Sequence, residues 1–197
     1  KAAGNRIDDR AVSYRMPTAL ANRFIHIDFE ANLDDWCEWA TWHGVNPNII
    51  AFMRFKPDLL FIFKAESSEK AFPTPLTWHF ASRMIQITPT RLLPEILEGT
   101  VGKGATAEFM AFLKVQTELP DLDTIFAGDN FVPKRMDLKY ALVAALATRA
   151  KGPKQFERMI QYSSNLDVEF AVLLITMLVG KSEGDMVLAP SWEKWAR

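Results

Sequence analysis

The sequence has one cysteine, Cys37, three histidines and no block of like charge. A lone cysteine excludes an internal disulfide and suits a reducing compartment. No signal-peptide pattern is visible, so a cytoplasmic location is expected. His26, His43 and His79 are scattered, with neither H-x-x-x-H nor Cys/His spacing, which speaks against a zinc site. With 23 basic against 24 acidic side chains and a formal charge of -1, the chain lacks the excess that marks a nucleic-acid or anionic-membrane surface. Its longest apolar stretch, Phe170 to Val179, falls far short of the ~20 residues needed to cross a bilayer, and reads as a buried helix. A phosphate-binding loop, G-x-x-x-x-G-K-[ST], is also missing. The nearest approach, Gly99-Thr100-Val101-Gly102-Lys103-Gly104, puts Gly104 where the Mg²⁺-binding hydroxyl belongs and follows no predicted strand, so it reads as an interhelical loop.

What is present is mostly helical punctuation. Asn32 is placed to cap a helix with Asp34 and Asp35 in its first turn, and Leu33, Trp36, Cys37 and Ala40 share one stripe before Gly44. Asn46-Pro47 and Thr74-Pro75 open two further helices with proline at the first position, the second running to about Gln86. Helices are also expected over Pro89 to Glu98 and Ala105 to Leu119, with a short one after Pro120. Three more are expected: Leu138 to Ala150 capped by Asp137, Lys154 to Ser164 led by Pro153, and Val168 to Val179 led by Asp167 and stopped by Gly180. Short Pro/Gly/Asn turns between helices imply an all-α bundle. Trp192 and Trp195, in the tail, are expected to dock on the bundle or on a neighbour. Trp36, Trp39 and Trp42 drift around their helix, leaving one ring for core packing or a partner.

The exception is near the start. Ile25, Ile27 and Phe29 alternate with His26, Asp28 and Glu30, the period of a half-buried strand. A lone strand leaves its backbone groups unsatisfied, so this one needs partners that the rest of the chain does not obviously supply. The division is therefore drawn at residue 31: residues 1–31 as a truncated remnant of a strand-containing core, residues 32–197 as an all-α domain. The opening Lys1-Ala2-Ala3-Gly4-Asn5 reads as a strand end feeding a loop, as if entered in mid-protein.

Two residues there are candidates for chemistry. Asn5, after a run of small residues, offers both a donor and an acceptor with which to orient a water beside a phosphate. Arg23 ends the short helix expected over Pro17 to Asn22, a fixed platform from which a guanidinium can reach a phosphate across an interface. Taken singly, each is more simply a turn-forming Asn and a surface Arg. Asp8-Asp9 read as solvated charges, and Cys37, on an apolar stripe, as a buried structural thiol.

Together, Gly4-Asn5, a polar loop, Met16-Pro17-Thr18-Ala19-Leu20-Ala21-Asn22-Arg23-Phe24 and the apolar alternation resemble the second half of the AAA+ ATPase core, in its MoxR-like branch. That family's motif is Leu-Pro-x-Ala-Leu-x-x-Arg-Phe, and Met16 is the conservative departure. Asp34-Asp35-Trp36, the segment Ile50 to Phe55 and Phe72-Pro73-Thr74-Pro75 extend the likeness more loosely. The resemblance implies that Asn5 is the sensor asparagine and Arg23 the arginine finger acting on ATP in a neighbouring subunit. It further implies that the helices after residue 31 are the lid and a C-terminal extension. The lid's own sensor arginine should follow Thr74-Pro75, where this chain has Leu76. Either Arg83 takes that role or the lid contacts nucleotide without it; two helical turns displace a side chain by ~10 Å, which favours the second. By the same resemblance, ATP and Mg²⁺ would belong to the parent protein, a ring-forming, hexameric ATPase that remodels a protein client. The fragment alone, lacking the phosphate loop, should not hydrolyse ATP. The competing expectation is a non-enzymatic helical adaptor that binds a protein through its Trp-rich helices and aromatic tail.

Overall fold

Local capping sets most of the helix starts. The computed structural model describes residues 16–63, 69–182 and 190–195. After a short helix α1 (Thr18–Ala21), α2 (Leu33–Trp42) begins where the Asn32 side chain accepts the Asp35 amide at 3.0 Å. Helix α3 (Pro47–Phe55) begins where Asn46 accepts the Asn48 amide at 2.9 Å. Helix α4 (Pro75–Ile87) opens on a reciprocal Thr74/Thr77 capping box, each hydroxyl taking the other residue's amide at 3.0 and 2.8 Å. Each cap satisfies amides that the first turn leaves without intrahelical acceptors.

Helices α5 (Leu93–Val101) and α6 (Lys103–Val115) are separated by one residue, Gly102, so the expected six-residue loop is a correction: Gly99 to Val101 complete α5. The chain turns this sharply because Gly102 sits at φ 83° and a Cβ there would lie 2.6 Å from the Ala71 carbonyl oxygen. Helix α7 (Leu122–Ala127) leads to α8 (Met136–Arg149), α9 (Gly152–Ser163), α10 (Val168–Lys181) and the short α11 (Trp192–Trp195).

The core runs through the whole helical part. Phe52 of α3 meets Trp78 of α4 and Phe109 of α6 edge-on, with centroids 5.6 and 5.1 Å apart, and Trp78 Nε1 donates to the Leu59 carbonyl at 2.7 Å. Helix α8 lies against α3, α6 and α10, and its Tyr140, Leu142, Val143 and Leu146 are buried. Helix α10 buries Phe170, Leu174, Ile175 and Leu178, as its largely apolar composition requires, and no described helix is long and apolar enough to cross a membrane. Trp192 and Trp195 stack on each other and pack against the core, so the tail docks on its own bundle.

The architecture of the described residues is mainly α. The strand expected over Ile25 to Glu30 is not formed: the segment has no regular secondary structure, and Ile25, Ile27 and Phe29 are 90%, 72% and 87% exposed. A strand exists only through its ladder, and no strand occurs among the described residues to pair with it.

Candidate functional site

Asn5 lies outside the described residues. Arg23 ends the α1 turn, its amide donating to the Leu20 carbonyl at 3.0 Å, and its side chain is exposed. It stands immediately before the exposed apolar alternation.

Arg83 belongs elsewhere, to an open groove of about 770 Å³ between α4, the end of α5 and the segment entering α4. Ala71, Phe72, Phe80, Met84 and Ile87 form its apolar part, and the charged side chains lining it are Lys70 and Arg83. Neither cation forms an ion pair with another described residue. The groove's hydroxyls are occupied. Thr77 is taken up by the capping box and lies 3.1 Å from the Phe72 carbonyl, while Thr100 donates to Ile96 at 2.7 Å. The polar groups left for a ligand are the Lys70 and Arg83 cations and the Gln86 amide. Leu76, on the same helix, is 58% exposed.

The groove was not legible beforehand, because Lys70, Arg83 and Thr100 converge only through the packing of α5 on α4. A hint was available in Leu76, Phe80, Arg83 and Ile87, which recur at helical spacing on a helix whose buried side is already supplied by Trp78, Ala81 and Ser82.

A second collection of titratable groups lies where α2, α3, α8 and α10 meet. Arg54 donates to the Asp34 carboxylate, and Tyr140 donates to Glu169. Cys37 is 3% exposed, and burial pushes its thiol up to about 11, so at neutral pH it is a protonated, inert core side chain. Burial and the Glu169 carboxylate likewise push the Tyr140 phenol up. These groups join helices and present no reactive form to solvent. Trp36 donates to the Pro75 carbonyl at 3.2 Å and is buried, whereas Trp39 stacks on His43 at 4.4 Å and meets His79 edge-on at 5.2 Å. Trp42 is the ring of the trio left most exposed, at 62%. No cluster of His, Cys, Asp and Glu fit to hold a metal ion occurs among the described residues.

Comparison with known proteins places no relative beside this geometry: no protein-family model, no curated protein and no solved structure matches the chain.

Proposed function

We propose that this chain is the C-terminal part of a MoxR-like AAA+ ATPase, comprising the arginine-finger end of the core, the helical lid and a helical extension. The observation that carries the reading is the exposed alternation of Ile25, Ile27 and Phe29 directly after the exposed Arg23. Apolar side chains spaced for a strand and left facing solvent belong in a sheet that other residues must provide. An arginine on the turn entering such a strand is carried to the rim of that sheet, where a neighbouring subunit's γ-phosphate can be met. The compact helical bundle that follows suits a lid. Leu76 and the two-turn displacement of Arg83 support a lid that contacts nucleotide without a sensor arginine. In this reading ATP and Mg²⁺ are bound by the parent's phosphate loop, Asn5 orients the hydrolytic water, the ring is hexameric, and the protein works on a protein client in the cytoplasm.

The test is ATP hydrolysis by the intact parent polypeptide. Arg23→Ala should lower kcat by about a thousandfold or more while leaving nucleotide binding in place, since a finger acts on transition-state charge. An unchanged rate, or a rate that does not depend on oligomerisation, removes the assignment. The exposed Trp42 favours a second reading, a helical adaptor without catalysis. It predicts a parent that binds no nucleotide.

A further inference from the structure

In the ATPase reading the start of α4 is where a lid helix meets nucleotide, and the composition of its exposed face is unlike a solvated helix surface. Leu76, Phe80 and Ile87 are 58%, 45% and 73% exposed, and with Arg83 they recur at i, i+4, i+7 and i+11 along one side of the helix. That spacing makes a continuous seam roughly 16 Å long, the contact length of about three turns of a second helix. The seam borders the groove, which adds Phe72 and whose charged side chains, Lys70 and Arg83, are both positive and form no ion pair with a described carboxylate.

We propose that the α4 seam and its groove form a docking site for an amphipathic helix of a partner protein, whose apolar stripe covers Leu76, Phe80 and Ile87 and whose flanking carboxylates meet Lys70 and Arg83. The heptad-like spacing selects a helix over an extended peptide, and two cations without an ion pair among the described residues select acidic flanks over basic ones.

The experiment uses the full chain and a fluorescein-labelled helical peptide of about 14 residues, with Leu at i, i+4, i+7 and i+11 and Glu beside them, together with its Glu-to-Lys counterpart. Fluorescence anisotropy should show the Glu peptide binding at least about tenfold more tightly than the Lys peptide. Phe80→Glu should abolish binding of the Glu peptide. The double variant Lys70→Glu, Arg83→Glu alters exposed side chains alone and should reverse the preference, a result that a misfolded protein cannot mimic. The proposal fails if the Glu peptide does not bind, if both peptides bind alike, or if the charge reversal leaves the preference unchanged. It also fails if sedimentation shows a dimer that Phe80→Glu dissolves, because a second copy would then be the occupant.

Discussion

Gly180 shows how a single residue can read one way in sequence and act another way in the fold. After the apolar run Phe170 to Val179, a glycine looks like a helix stop. Helix α10 instead continues to Lys181, and Gly180 lies within it. A Cβ at this position would stand 2.5 Å from Thr41 Cγ2 and 2.6 Å from the Thr41 carbonyl oxygen on α2. Thr41 has little room to yield: it is buried, and its hydroxyl donates to the Cys37 carbonyl at 2.9 Å. Two effects oppose one another in Gly180→Ala. Alanine favours a helix interior by ~1 kcal/mol, while overpacking against backbone costs ~1–3 kcal/mol. Because the clash includes a carbonyl oxygen, it should win, and urea unfolding should show a lower midpoint with an unchanged slope. A higher midpoint would mean that α2 and α10 are not held at this separation. The contact joins residues far apart in the chain, which is why the local pattern could not reveal it. Lys181, next along, reaches the carbonyls of Ala147 and Ala150 at 2.9 Å each and so closes the end of α8.

At the scale of the element, the side-chain caps that form are those whose capping groups have no competitor. Asn32, Asn46-Pro47 and Thr74-Pro75 act as their residue types suggest. Asp137 does not: it falls inside the first turn of α8 and pairs with Arg135, while Asp167 leads α10 as expected but gives its carboxylate to Lys139 rather than to a first-turn amide. A nearby cation takes the carboxylate that capping would have used. The C-terminal element depends on a contact of the same kind. Glu157 of α9 accepts the Ser191 amide at 2.9 Å, accepts the Ser191 hydroxyl, and accepts Gln161 Nε2 at 2.8 Å, which anchors the start of α11. Burial alone would raise the Glu157 carboxyl, but the hydrogen bonds from Ser191 and Gln161 outweigh it and hold the group below the usual glutamate value. A depressed carboxylate contributes fully above its unfolded pKa, about 4.3, and the contribution is lost as pH falls through the lower folded value. Hydrogen exchange over residues 190–195, corrected for intrinsic rates, should therefore stay slow through mild acid and speed up only below the usual glutamate range. Glu157→Gln should speed it at neutral pH and flatten the acid response. Exchange indifferent to both changes would show that Trp192 and Trp195 hold the tail by packing alone.

For the molecule as a whole, the all-α character was legible because it rests on caps and periodicity, which are local. The candidate site was legible only in part. The short helix that ends before Arg23 forms where it was expected, whereas the groove around Arg83 needed the tertiary packing of α5 on α4. The strand was legible as a pattern and absent as an element, and the difference is physical: alternation records which side chains seek burial, but a ladder needs a second strand. That distinction yields a direct comparison between this chain and its proposed parent. In the chain alone, the Ile25 and Ile27 side chains are largely in water and their backbone has no ladder, so their amides should exchange at close to intrinsic rates. In the intact parent, the same segment should become an internal strand. Its amides would then be buried in a sheet, with exchange slowed toward the rate set by global unfolding, while protection in α3, α4 and α8 stays as it is in the chain alone. Mass-spectrometric exchange on both proteins makes the comparison peptide by peptide. Equal, fast exchange over residues 25–28 in the two proteins would leave the alternation without a sheet to join, and with it would go the placement of Arg23 at a subunit interface.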